Sequence, residues 1–203
     1  GASVFANDPD RLVRVVATQS ANPWVGTTIM DWPATDPVYQ YADVLAVAPY
    51  FGGAFGNNTN VNTTLTWTVD QLLDECDLDS DYRQTNDTGV NADNAESRGL
   101  ELVAYEGGQH LVGVEGNQNN QTLTDLFFAA NAHPRMRDIY LNDLRRWDTE
   151  GGKLFMAFTH IYEPSKWGAW GMLESLYQDR NTAPKWLGVM DWKAEKSTET
   201  GTR

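Results

Sequence analysis

Residues 101–110 read ELVAYEGGQH, a short apolar run closed by a carboxylate and followed at once by two glycines. The segment from Leu102 to Glu106 has the length and the branched and aromatic content of a buried strand. Alternation puts Leu102, Ala104 and Glu106 on one face, so Glu106 projects into a barrel mouth if that face is the inner one. Gly107 and Gly108 permit unusual backbone angles and the close approach of a ligand. The bland alternative is a glutamate that meets solvent where its strand ends.

Three more runs of the same kind flank this one: residues 12–18 (LVRVVAT), 44–50 (VLAVAPY) and 154–160 (LFMAFTH). Their nearly continuous hydrophobicity suits parallel strands covered on both faces. Parallel neighbours need crossover connections, and the intervening segments are long enough to supply helices. One helix is expected from Val69 towards Arg98. Another is expected over residues 134–149, where Met136, Ile139, Tyr140, Leu144 and Trp147 recur at helical spacing. Pro134 suits a first turn, Gly151 and Gly152 end that helix, and a last helix includes residues 184–189. The order is βαβαβαβα, a parallel α/β arrangement whose four units make half of a (β/α)8 barrel. Residues 1–192 form this half-barrel, and residues 193–203 are expected to be a polar, mobile tail.

The whole chain of 203 residues, 41% hydrophobic and 21% charged, has the balance of a soluble globular domain. A net charge of −13 argues against nucleic acid or an anionic membrane as partner and favours a neutral ligand. No run of about 18 apolar residues is present to span a bilayer, and the first residues lack the features of a signal peptide. This is the expectation for a mature, soluble chain. The single cysteine, Cys76, excludes an intrachain disulfide and leaves the redox compartment open. Eight Trp, eight Tyr and seven Phe are enough to fill a core or to stack on sugar rings.

Every expected strand ends in polar or aromatic residues: Gln19 and Asn22 with Trp24, Tyr50 with Phe51, Glu106 with Gln109 and His110, and His160 with Tyr162 and Glu163. Parallel sheets bind ligands at the carboxyl ends of their strands, so the expected site is there. Three scattered histidines form no metal-binding cluster. Asp77, Asp79 and Asp81 imitate the opening of a calcium loop, but Tyr82 stands where its glycine should be, and a solvated helix end fits better. Gly52, Gly53 and Gly56 lack dinucleotide-binding spacing, and no GxSxG elbow occurs. No metal and no organic cofactor is expected.

The strings ATQSANPWV, YADVLAVAPYFGG, LVAYEGGQH and GGKLFMAFTHIYEPSKWGAWG resemble strands five to eight of a bacterial family of glycoside hydrolase-like proteins. These belong to the retaining (β/α)8 enzymes. The resemblance covers nearly the whole chain, with YEGG its one segment specific to chemistry. It implies that Glu106 is the catalytic nucleophile and that Tyr50 orients it. It also implies that Trp167 or Trp170 is a sugar platform, with Gln19, Asn22, Trp24, Gln109, His110 and His160 as further substrate contacts.

A retaining glycosidase needs two carboxyl groups roughly 5 Å apart. The family's acid/base stands in an Asn-Glu pair ending strand four, and this chain begins just before strand five and has no such pair. Glu163 and Glu115 are the local substitutes. The expectation is therefore the nucleophile side of a glycan-hydrolysing site, inactive alone. A missing N-terminal half-barrel or a second copy of the chain would complete it, with an extracellular or periplasmic location if the substrate is a polysaccharide. The rival from another class is a glycan-binding or scaffold protein that has kept the aromatics without catalysis.

Overall fold

The computed structural model describes residues 4–8 and 11–200. Along the chain run β1 (Val15–Ala17), α1 (Pro23–Met30), β2 (Val44–Val47), β3 (Tyr50–Phe51), α2 (Val61–Thr64) and α3 (Val69–Arg83). A π-helical segment (Gln84–Thr88) joins α3 to α4 (Gly89–Glu96). Then come β4 (Glu101–Ala104), β5 (Gly108–Gln109), α5 (Gln121–Ala132), α6 (Met136–Thr149), β6 (Gly152–Phe155) and α7 (Pro184–Thr200).

Strands β1, β2, β4 and β6 form a parallel sheet in that order, so each strand lies beside its predecessor. Sequential order with right-handed crossovers sends the connecting helices to one face. The register agrees: Val16, Leu45 and Leu102 align, as do Val47 and Ala104, and all five pack with Met30 of α1, Ala95 of α4 and Trp147 of α6. The opposite face carries Val15, 56% exposed, and Tyr105, 44% exposed, and Leu154 on the outer strand β6 is 60% exposed.

A second core lies beyond the carboxyl ends of the strands. There Phe51, Leu72, Leu73, Leu111, Leu123, Phe127, Met136 and Tyr140 pack together from β3, α3, α5 and α6 and the loops between them. Helix α6 serves both cores, with Trp147 in one and Met136, Ile139 and Tyr140 in the other. The recurrence read at residues 136–147 is thus a helix buried on two sides.

Some expected boundaries move. The last strand begins at Gly152 rather than Leu154, because Gly152 lies against Trp147, where a Cβ would come within 2.1 Å of the indole. The chain then keeps alongside β4, with Met156 N–H donating to Ala104 O and Phe158 N–H to Gly107 O. Residues 193–200 are no loose tail: α7 continues through them, and Glu195 accepts from Arg145 while Lys196 pairs with Asp148, both of α6. Residues 201–203 lie outside the described residues. Helices α1 and α5 were not legible as such. Their apolar residues are bracketed by Asn22 and Asn120, of which only Asn120 caps its helix by side chain.

Candidate functional site at the carboxyl ends of the strands

Pro49 lacks an amide hydrogen, so the β2 ladder stops at Val47 and the chain resumes as β3. Strand β5 pairs with β3, placing Gly108 beside Tyr50 and Gln109 beside Phe51. Between β4 and β5 the chain bends at residues 105 and 106. This corrects the alternation argument, because the Leu102 and Ala104 face is covered by helices and Glu106 lies beyond the end of its strand. The bend and the β3–β5 pairing, rather than strand periodicity, bring Glu106 to Tyr50.

Burial, then the Glu106 charge, then a side-chain hydrogen bond to Glu106 push the Tyr50 phenol above the usual tyrosine range. The phenol therefore keeps its proton beside the carboxylate. Packing alone requires both glycines. A Cβ on Gly107 would stand 2.6 Å from Phe155 Cζ, and one on Gly108, whose φ is +135°, would stand 2.8 Å from the Tyr140 hydroxyl.

A cleft of about 490 Å³ opens beside Tyr50, lined by Gln19, Ser20, Asn22, Tyr50, Arg83, Asp87, Tyr105 and His110 among others, with Glu106 outside its wall. A larger hollow of about 560 Å³, lined by Glu96, Glu101, Glu150 and Lys153, lies at the opposite, amino ends of β4 and β6. Size favours the second, but ligands of parallel sheets collect at the carboxyl ends, so the first is the candidate site. Burial pushes the His110 imidazolium down, so the ring is neutral near pH 7, and its Nδ1 has no hydrogen-bond partner.

The remaining expected residues divide. His110, Tyr50 and Trp170 form one edge-to-face group, with centroids 5.6 Å apart for Tyr50 and His110, 6.0 Å for Tyr50 and Trp170, and 5.1 Å for His110 and Trp170. Trp170 also donates from Nε1 to Trp167 O at 2.7 Å. Trp167 is itself 57% exposed, with the Lys166 ammonium over its ring. Trp24, on α1, is 71% exposed. Gln109 is not a free contact: it is 1% exposed, donates to Ala169 O and accepts from Leu111 N–H, so its amide is consumed in holding loops together. His160 stacks on Trp186 of α7, five residues past the end of β6.

Sequence reasoning missed Arg83 and Asp87 in the cleft wall. Arg83 pairs with Asp79 at 3.4 Å and Asp87 at 3.2 Å, and Asp79 also accepts from Gly52 N–H at 2.6 Å. This corrects the reading of Asp77, Asp79 and Asp81 as a solvated helix end. They lie inside α3, where Asp77 and Asp81 pair with Arg146 of α6 while Asp79 pairs with Arg83 and accepts from Gly52 N–H. The spacing of Asp79, Arg83 and Asp87 by four was the available signal.

Of the two substitutes for the acid/base, Glu115 accepts from Asn58 N–H at 2.8 Å and Glu163 is exposed; neither is held towards Glu106 by a hydrogen bond. Comparison with protein-family models, with curated proteins and with solved structures returns no match to this chain.

Proposed function

We propose that this chain is half of a (β/α)8 glycosidase-type barrel and contributes the nucleophile side of a retaining site that acts on a neutral glycan. The observation that carries this reading is the Tyr50 phenol beside the Glu106 charge at the carboxyl ends of neighbouring strands, with Tyr50 lining a cleft it shares with Gln19, Asn22 and His110. A nucleophilic carboxylate must be aimed, and a neighbouring phenol serves that end. In the complete barrel Glu106 attacks the anomeric carbon, while a carboxyl group from the completing half protonates the leaving oxygen and later activates water. Gln19, Asn22 and His110 take sugar hydroxyls, and Trp170 closes the aromatic side. The completing half is an N-terminal (β/α)4 unit or a second copy of this chain, since either supplies the strands that β1 and β6 lack as neighbours.

A second reading, a glycan-binding protein without turnover, is favoured by the surroundings of Glu115 and Glu163, neither of which hydrogen-bonds to Glu106. Binding and hydrolysis separate the two. Calorimetric titration of neutral oligosaccharides, with Trp170→Ala weakening affinity by about 1 to 3 kcal/mol, supports a glycan site under both. In a complete barrel Glu106→Gln should then lower hydrolysis by about a thousandfold or more while leaving binding largely intact. Near-normal turnover by that variant removes Glu106 from the mechanism. Absence of binding across the oligosaccharide panel removes the glycan.

A further inference from the structure

Lys185 is 6% exposed, the second residue of α7, and among the described residues it has no ion pair. Its Nζ has two hydrogen-bond partners, Asn131 Oδ1 at 3.0 Å and Ala169 O, both neutral acceptors. An ammonium carries three donors, whereas a neutral amine carries two and keeps a lone pair. Two neutral acceptors and no counter-ion are the surroundings of an amine rather than an ammonium. The one carboxylate that acts on it, Glu174, does so from an exposed position and only through space. Desolvation accordingly pushes Lys185 down to about 7.

The same three residues, Asn131, Ala169 and Lys185, line a cavity of about 40 Å³ together with Tyr162, Glu174, Gln178 and Thr182. That space exceeds what one water needs and admits an electrophile of only a few heavy atoms. The amino end of α7, with Pro184 in its first turn and no acidic residue there, favours negative charge on whatever forms beside it, against the Glu174 carboxylate at the exposed side of the same cavity.

We propose that Lys185 is a carbamylation site, a buried neutral amine that takes up carbon dioxide from the cavity under the amino end of α7. The nitrogen lone pair bonds to the carbon of CO₂, one C=O π pair moves to oxygen, and one N–H proton leaves to solvent. The product is an N-carboxylate that keeps one N–H for Asn131 or Ala169, and no oxidant or cofactor takes part. This assignment is independent of the glycan reading.

The test is to incubate the purified chain with carbon-13-labelled bicarbonate near pH 7.5, trap carbamates by O-ethylation with triethyloxonium, and map the peptides. An ordinary lysine near pH 7 is less than about one part in a thousand neutral, so trapped label at Lys185 is expected at least about tenfold above that at the exposed Lys153, Lys166 and Lys193. Lys185→Gln should remove that peak alone. Label absent from Lys185, or equal at the exposed lysines in wild-type protein with native circular dichroism, overturns the proposal whether or not the variant folds.

Discussion

Single side chains set the electrostatics of both helix packing and site. Asp143 of α6 is fully buried against α3, accepting from Ser80 and Gln84, with its second oxygen unpartnered. Desolvation raises it to about 6 from 3.8, against the hydrogen bonds and Arg146, which lower it. Between those two values the folded protein binds a proton that the unfolded chain does not, so stability falls as pH rises through that window, by up to about 3 kcal/mol. Urea unfolding from pH 4 to pH 7 should show this decline, and Asp143→Asn should flatten it; an unchanged slope in the variant assigns the dependence to other groups. Tyr50 is shifted in the same direction, by burial first and then by the Glu106 charge, which keeps its phenol protonated across the physiological range.

Elements are held by local devices that can be removed one at a time. Thr68 and Gln71 form a reciprocal cap at the start of α3, so Thr68→Ala should cost about 1 kcal/mol in thermal or urea unfolding without moving the cleft. Gly152→Ala is a harsher change, because the new methyl would meet the Trp147 ring inside a closed core. A loss of at least about 2 kcal/mol is expected, and a melting temperature within error of wild type would show that the indole moves aside freely. The sequence announced the four sheet strands and α6 through apolar content and spacing. It hid α1 and α5, whose amphipathic signal is carried by threonine, alanine and asparagine as much as by large apolar residues. It also hid the π-helical segment, whose extra residue brings Asp87 to the cleft wall without altering any hydrophobic period. Tyr50, Glu106 and His110 were legible because a strand ended beside them. Arg83 and Asp87 were not, because a charged helix face reads the same whether it meets water or a cleft.

At the scale of the whole molecule, helices cover one face of the sheet, and among the described residues both outer strands lack a second neighbour. The purified 203-residue chain is therefore expected to self-associate or to require a completing half, and to hydrolyse no chromogenic glycoside alone. Light scattering with a glycoside panel checks both; a stable monomer with robust turnover would place the acid/base within this chain. Because all four strands run the same way in sequential order, β1 of one copy is a fitting neighbour for β6 of another, and the same offer is repeated at the far margin. Such a surface is polar in the sense of a magnet, with unlike ends that attract. Curvature alone then decides between a ring that closes after two copies and a filament that never does, so the bend of this small sheet governs solubility as well as shape.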